Sequence, residues 1–127
     1  METTGIRVVM SLGSNSGDRG GNIRDAIRWL HSVMTDIISS EIYETPPVGH
    51  SKGNYMNAVV IGKIQEDVAS LEKRCKEYET ANGRDAKARS EGKVPIDIDI
   101  VVIGGRIVRE KDYNSNFFKI GFSELIK

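Results

Sequence analysis

The sequence predicts an α+β domain built on an antiparallel sheet, and three observations support this prediction. The chain has 127 residues, enough for one hydrophobic core and too few for two, so we expect a single domain over residues 1–127. Apolar residues alternate in some segments and recur at helical spacing in others. Segments of the two kinds follow one another as strand, helix, strand, strand, helix, strand.

The composition is that of an ordinary globular protein and excludes several classes of protein. Lys plus Arg number 18 and Asp plus Glu number 18, so no overall field attracts nucleic acid or an anionic membrane. No apolar run approaches the roughly 20 residues that cross a bilayer, and the N-terminus does not resemble a secretory signal. One cysteine excludes an internal disulfide and fits a reducing compartment. We therefore expect a cytoplasmic protein without nucleic-acid or membrane partners, and favour a monomer.

The first half of the chain contains three predicted strands and one helix. The first strand covers residues 6–12 and ends at Gly13-Ser14-Asn15. The helix that follows begins at Asp18 or Asn22 as N-cap. Its apolar stripe comprises Ile23, Ala26, Ile27, Leu30 and Met34. A second strand is predicted over 36–44, because two prolines then stop the ladder, and a third over 55–64.

The second half supplies the remaining helix and strands. The helix has an apolar stripe of Val68, Leu71, Cys75 and Tyr78. It ends near Asn82-Gly83, and the aperiodic, charged residues 84–93 are predicted to form a mobile loop. The clearest strand covers 96–103, and a glycine pair turns it toward a short strand at 107–108. The tail from Asn114 fits either a short helix or a closing strand.

This order of elements is that of the ferredoxin-like βαββαβ unit, an antiparallel sheet with both helices on one face. The same fold carries many unrelated functions, so the function must be argued from a site. Three groups of residues are candidates for that site.

Two carboxylates on the 96–103 strand form the first group. Period two places Ile96, Ile98, Ile100 and Val102 on the core face, and Asp97, Asp99, Val101 and Ile103 on the other. Residues two apart on one face are separated by roughly 6.5–7 Å, so both carboxylates reach one cation or flank two. Magnesium prefers such carboxylates together with phosphate oxygens and water. An acidic strand face that discourages edge pairing is the alternative, and the pattern alone weighs the two equally.

The second group joins the loop at 45–49, Thr-Pro-Pro-Val-Gly, to the start of the third strand. Tyr55 and Asn57 share a strand face, so they offer a stacking surface and an amide for a flat heterocycle. Taken singly, a proline-rich turn and a packed tyrosine are the more ordinary interpretation. Glu79, Arg84 and the basic loop 85–93 form the third group, which could close over phosphates or be a plain solvated connection.

Five segments, in order, resemble the 6-hydroxymethyl-7,8-dihydropterin pyrophosphokinase family of folate biosynthesis. They are Leu12-Gly13-Ser14-Asn15, Tyr43-Glu44-Thr45-Pro46-Pro47-Val48-Gly49, Tyr55-Met56-Asn57-Ala58-Val59, Asn82-Gly83-Arg84 and Ile96-Asp97-Ile98-Asp99-Ile100. The resemblance implies a ferredoxin-like core and a transferase that moves pyrophosphate from ATP to the pterin hydroxymethyl group and releases AMP. The implied partners are ATP and the dihydropterin, and the implied cofactor is Mg²⁺, two ions with ATP.

The same resemblance implies roles for individual residues. Asp97 and Asp99 match the catalytic aspartates that hold the two magnesium ions. The positions that match pterin contacts are Thr45, Pro46, Val48, Tyr55, Asn57 and Phe117, with Tyr55 and Phe117 as the two aromatic rings that sandwich the pterin. The positions on the nucleotide side are Glu79, Arg84, Lys93 and Ile100.

The chain also departs from the family pattern. The family's loop before the aspartates usually carries a Trp and an Arg that cover ATP, whereas this chain has Glu91 and, as the nearest basic substitute, Lys93. A Pro-His segment with further basic residues is replaced by residues 111–116, and we interpret the chain as a short member lacking much of the C-terminal part. Two alternatives therefore stay open: a catalytically degraded pterin- or nucleotide-binding module, and a plain interaction domain.

Overall fold

The computed structural model describes residues 5–47 and 53–127, which form one six-stranded antiparallel sheet and five helices. The strands are β1 (Ile6–Ser14), β2 (Thr35–Ser39), β3 (Tyr43–Thr45), β4 (Tyr55–Ile64), β5 (Asp97–Ile103) and β6 (Arg106–Ile107). The helices are α1 (Arg19–Leu30), α2 (Val68–Ala81), α3 (Ala86–Ser90), α4 (Glu110–Tyr113) and α5 (Asn116–Leu125). Among the described residues, no helix has both the length and the apolar character needed to cross a bilayer.

The sheet has the order β2-β4-β1-β5-β6, with β3 pairing to the other end of β4. The long strands β1 and β4 pair along nine residues and lie at the centre. Helices α1 and α2 pack on one face, as the βαββαβ order predicts, so the α+β, ferredoxin-like fold is confirmed. Each of these two helices begins at an aspartate N-cap, Asp18 and Asp67, whose carboxylate accepts a backbone N–H three residues on.

The opposite face of the sheet is half covered by α5, so the tail is a helix and not a closing strand. Its Phe118 is fully buried against Val9, Val59 and Val101. Gly121 allows this close approach, since a Cβ there would lie only 2.7 Å from the Val59 side chain. The other half of this face, beyond the first turn of α5, stays open.

The second predicted strand is two strands, β2 and β3, which corrects the expectation of one strand over 36–44. The interruption falls at residues 40–42, where the side chain of Ser40 takes part in the pairing. Its hydroxyl accepts the Val59 N–H at 2.9 Å, and its own N–H donates to the Val59 carbonyl at 2.9 Å. A side-chain hydrogen bond thus replaces one rung of the ladder and lets the chain change direction.

Two further expectations were wrong in detail. Residues 84–93 are not an unstructured loop, because they contain the short helix α3, capped by the Asp85 carboxylate on the Ala88 N–H at 2.8 Å. In β5, strict alternation fails after Ile100, because Val101 is an extra residue opposite the Val9–Met10 step of β1. Val102 consequently joins Val101 on the α5 side, and Ile103 packs on the helix side.

Candidate active site

The open half of the sheet face forms a cleft of about 190 Å³. Its centre is the end of β1, because Gly13 pairs with Asn57 of β4 on one side and with Asp97 of β5 on the other. The cleft is lined by Ser11, Gly13, Tyr55, Asn57, Asp97, Asp99, Arg109, Asp112 and Phe117. The pairing of three strands therefore brings two of the predicted groups, the carboxylates and the Tyr-x-Asn segment, into one site.

Small residues on β1 provide the floor of the cleft. Ser11 and Gly13 lie two apart and so face the same side of the sheet as the carboxylates. A Cβ on Gly13 would lie 3.3 Å from the Tyr55 ring and 3.6 Å from the Asn57 side-chain oxygen Oδ1. Any larger side chain at this position would occupy the space between those two groups.

One wall of the cleft is neutral and held by hydrogen bonds. The Asn57 amide nitrogen Nδ2 donates to the Thr45 hydroxyl at 2.7 Å, which turns the amide oxygen toward Gly13. The Tyr43 hydroxyl donates to the Phe117 carbonyl, so it fixes the start of α5 where Phe117 faces the cleft. Burial raises the pKa of Tyr43 to about 12, so the phenol keeps its proton for this bond.

The opposite wall is the carboxylate pair. Asp97 forms an ion pair with the Arg84 guanidinium, while the Asp99 oxygen Oδ1 lies 3.5 Å from Lys76 Nζ and 4.0 Å from Arg109 Nη1. Burial, followed by the charge of Asp97, raises the pKa of Asp99 to about 7. Burial acts in the same direction on Asp97, but a hydrogen bond from Asp99 and the Arg84 charge outweigh it and lower the Asp97 pKa.

The basic side chains reach this wall around a free edge of β5. The short strand β6 pairs only with Val102 and Ile103, so the backbone at 97–99 has no outer neighbour among the described strands. Glu79 of α2 caps this edge by accepting the Ile98 N–H at 2.7 Å. It is buried, which raises its pKa, and lies 3.4 Å from Lys76 and 3.7 Å from Arg84. Glu79 thus supports the carboxylate wall from behind and does not line the cleft.

The remaining predicted site residues lie outside the cleft lining. Thr45 is buried behind Asn57, and Pro46 is exposed just beyond β3. Lys93 is exposed and paired with Glu91 at 3.2 Å, and the side chain of Ile100 is buried in the core under the helices. Val48 lies outside the described residues.

The Leu-Gly-Ser-Asn segment connects the end of β1 to the chain that leads into β5. Asn15 accepts the Val94 N–H at 2.6 Å and donates to the Gly92 carbonyl at 3.1 Å. The Asn22 amide reaches the Pro95 carbonyl at 3.0 Å from the first turn of α1. These bonds fix the chain just before Asp97.

Sequence reasoning assigned no site role to five residues at or beside the cleft: Ser11, Gly13, Lys76, Arg109 and Asp112. For Ser11 and Gly13 the sequence contained an indication, because strand alternation places both on the sheet face predicted for the carboxylates. Lys76 also carried one, since it precedes Glu79 by one helical turn on α2. Arg109 carried none, because its place in the cleft depends on the turn from β6 into α4.

The donor set of the carboxylate wall fits a magnesium ion. Within residues 5–47 and 53–127 no third His, Cys, Asp or Glu joins the pair as a metal-binding group, so substrate oxygens and water would complete the coordination, as magnesium prefers. A divalent cation would also relieve the repulsion between the two carboxylates, which adds to the effect of burial in raising the pKa of Asp99. Asp97 and Asp99 are the residues that would hold it.

Several known proteins are similar to this chain. A relative from Arabidopsis thaliana, a folate synthesis bifunctional protein, is 31% identical over 112 residues, which is 86% of this chain and 23% of that protein. The 2-amino-4-hydroxy-6-hydroxymethyldihydropteridine pyrophosphokinase of Mycobacterium bovis is 35% identical over 97 residues, 75% of this chain and 50% of that protein. The enzyme of the same name from Aquifex aeolicus is 32% identical, with 82% and 65% covered.

The chain therefore spans half or less of the first two of these relatives and just under two thirds of the third. The model of the 7,8-dihydro-6-hydroxymethylpterin-pyrophosphokinase family matches residues 9–126, which is nearly the whole chain. The resemblance that the five sequence segments indicated is confirmed, and the chain belongs to the 7,8-dihydro-6-hydroxymethylpterin-pyrophosphokinase family.

Proposed function

We propose that this chain transfers a pyrophosphoryl group from ATP to the hydroxymethyl group of 6-hydroxymethyl-7,8-dihydropterin and releases AMP. The proposal rests on one observation. A single cleft has a wall of aromatic and amide groups and, opposite that wall, a carboxylate pair. The Mycobacterium and Aquifex relatives are named as pyrophosphokinases of a hydroxymethyldihydropteridine, which supports the proposed acceptor and the transferred group. We propose a cytoplasmic site of action, because the single cysteine, Cys75, is free and fits a reducing compartment.

The neutral wall supports binding of the pterin. Tyr55 and Phe117 offer two aromatic rings, and a flat bicyclic ring gains stacking energy of about 0.5–1.5 kcal/mol per aromatic contact. The Asn57 amide nitrogen already donates to Thr45, so the amide oxygen is the group that accepts an N–H of the heterocycle. A ring placed over Gly13 directs its substituent toward the carboxylates on the neighbouring strand.

The carboxylate wall supports binding of the triphosphate through magnesium, for which we propose two ions. Magnesium, when bound, neutralises charge on the phosphates and lowers the pKa of the attacking hydroxyl. Asp97 and Asp99 would hold the ions. Arg84 orients Asp97 through an ion pair, and Glu79 lies close enough to Arg84 to hold it in turn. The hydroxymethyl oxygen forms a bond to the β-phosphorus and gives its proton to water. The bond from that phosphorus to the oxygen bridging the α-phosphate breaks, and AMP leaves with that oxygen.

The direct test is an assay of AMP release from ATP, magnesium and the hydroxymethyl dihydropterin. Asp99→Asn should lower the rate at least about a hundredfold, because it removes one metal-binding charge. Asp25→Asn, an exposed aspartate on α1, is the matched control and should leave the rate unchanged. Wild-type protein that releases no more AMP than the Asp97→Asn and Asp99→Asn double variant would refute the proposed activity.

A second candidate function is a pterin- or nucleotide-binding module without turnover. One observation favours it: Lys93, the basic residue expected to contact the nucleotide, pairs with Glu91 and does not line the cleft. Calorimetry with the pterin and with magnesium–ATP would then detect binding, while the AMP assay stays at background. Normal turnover would exclude this second candidate.

A further inference from the structure

Three cationic side chains surround the carboxylate pair, and they are not equivalent. Arg84 pairs with both Asp97 and Glu79, and its side chain is only 22% exposed. Lys76 and Arg109 are 52% and 48% exposed, and both approach the same oxygen of Asp99. The first cation is part of the protein scaffold, whereas the other two are half exposed: Arg109 lines the cleft and Lys76 lies at its edge beside Asp99.

The two half-exposed cations hold Asp99 only loosely. The distances of 3.5 Å from Lys76 and 4.0 Å from Arg109 exceed the roughly 2.7–2.9 Å of a charge-assisted hydrogen bond. Arg109 is anchored elsewhere, because its Nε donates to Asp112 at 2.7 Å. That bond leaves the terminal Nη1 of the same guanidinium on the side of Asp99. Arg109 can therefore leave Asp99 and still line the cleft, and Lys76, which lies just outside the lining, keeps a second partner in Glu79 at 3.4 Å.

The charge at Asp99 changes when the carboxylate binds a divalent cation. The two basic side chains then lose Asp99 as a counter-ion and are repelled by the metal, although Lys76 keeps Glu79 at 3.4 Å and Arg109 keeps Asp112 at 2.7 Å. The phosphates that accompany the metal bring new negative charge. Exchange of a loose carboxylate partner for a phosphate preserves an ion pair and adds the shorter contact that phosphate oxygens accept. The residues expected from their loop position, Lys87, Arg89 and Lys93, are exposed and do not line the cleft.

We propose that Lys76 and Arg109 bind the phosphate groups of the nucleotide, with Asp99 as their partner only while the cleft is empty. The inference rests on the proposed function in one respect, that the ligand of the carboxylate wall is a metal-bound triphosphate. It adds two contacts that the sequence motifs do not contain. Both come from elements outside the motifs, one from α2 and one from the turn that leads into α4.

Calorimetric titration in the absence of pterin tests the inference. Lys76→Gln and Arg109→Gln should each weaken binding of magnesium–ATP about tenfold, the effect of losing one charge-assisted contact. Magnesium–tripolyphosphate, which has no adenosine, should lose affinity by the same factor. The matched controls are Lys73→Gln, on the exposed side of α2, and Arg106→Gln, on the exposed β6, and both should bind as wild type. Arg109→Lys, which keeps the charge, should recover most of the lost affinity.

Each outcome of this titration decides the inference. Wild-type affinity in both Gln variants would overturn it, as would a loss seen with ATP but not with tripolyphosphate, which would place the two residues at the adenosine. A wild-type chain that binds neither ligand would overturn it together with the proposed function. A tenfold loss for both ligands in a chain that releases no AMP would support the phosphate contacts and refute only the pyrophosphokinase activity. Thermal unfolding of each variant verifies that it is folded.

Discussion

The two walls of the cleft are stabilised in different ways. The neutral wall depends on hydrogen bonds between uncharged groups, such as the amide of Asn57 on Thr45 and the phenol of Tyr43 on the Phe117 carbonyl. The carboxylate wall depends on charges that compensate one another, with Arg84, Lys76 and Arg109 arranged around Asp97 and Asp99. The first wall is complete without a ligand, whereas the second has an excess of repulsion that a metal ion would remove.

This difference indicates that the two substrates meet surfaces of different kinds. A preformed neutral wall loses little conformational entropy when a flat ring binds, so affinity there depends on shape and hydrogen-bond geometry. A wall of exchangeable ion pairs depends on metal, salt and the protonation of its carboxylates. Variants of one wall should therefore leave the ligand of the other wall almost unaffected. Two of the four predictions that follow test this separation, and the other two test how each wall is stabilised.

The largest effect is expected at the carboxylates. Asp97→Asn and Asp99→Asn should each lower AMP release at least about a hundredfold, because a metal-binding charge is lost. The affinity for the pterin alone should stay within about threefold of wild type, under 1 kcal/mol. Fluorescence titration with the pterin measures this second quantity. A parallel loss of pterin affinity would show that the two walls are coupled.

The next effect concerns the support behind the carboxylate wall. Glu79→Ala should lower the free energy of unfolding by about 3 kcal/mol, because the Ile98 N–H and the Arg84 charge both lose a buried partner. Glu79→Gln keeps an acceptor for the N–H and should cost less. Urea unfolding measures both, with the exposed Glu77→Ala as control. A loss no larger than that of the control would contradict a supporting role for Glu79.

A smaller effect is expected at the neutral wall. Tyr55→Ala should weaken pterin binding about tenfold through loss of the aromatic face, and Tyr55→Phe should retain most of the affinity. Binding of magnesium–ATP in the absence of pterin should not change, since Tyr55 lies on the opposite side of Gly13 from the carboxylates. Weaker nucleotide binding in Tyr55→Ala would count against the assignment of the pterin to this wall.

The smallest effect is expected at Tyr43 and depends on pH. Tyr43→Phe should lower the free energy of unfolding by about 1 kcal/mol near neutral pH, the value of one hydrogen bond. Burial raises the folded-state pKa of Tyr43 to about 12, above the unfolded value near 10. Its contribution is therefore complete below pH 10 and is lost as the pH rises toward 12. Denaturation at several pH values should show a steeper alkaline loss in wild type than in Tyr43→Phe, and equal slopes would contradict this origin.

Local patterns predicted the parts of the site that belong to single strands. Alternation placed Asp97 and Asp99 on one face, and Tyr55 and Asn57 on another shared face, since a strand has only two sides. Across strands, only the resemblance to the family joined these two pairs into one site. Local patterns could not decide between helix and strand for the tail, because its helix depends on the fit of Gly121 against β4. Phe117 was likewise assigned to the site only through the resemblance to the family.

The basic residues near Asp99 also show what local sequence patterns cannot predict. Charge-rich segments are visible in the sequence, and they drew attention to residues 84–93. The cations that approach Asp99 instead come from α2 and from the turn before α4, and they reach it only because the edge of β5 is free. An edge is a property of the assembled sheet. The sequence therefore indicates that Lys76 lies one helical turn from Glu79, but not that Lys76 or Arg109 reaches around the edge of β5.

The extra residue at Val101 decides what the cleft contains. Beyond it, Met10 pairs with Ile100, Ser11 with Asp99 and Gly13 with Asp97. If the ladder continued from the Val9–Val102 pair without interruption, Leu12 would face Asp99 and Gly13 would face Ile98. Two carboxylates would then enter the apolar layer beneath the helices, and an isoleucine would fill the space above Gly13. A one-residue shift of register in β5 thus decides whether the two carboxylates form a cation site or are buried in the apolar core.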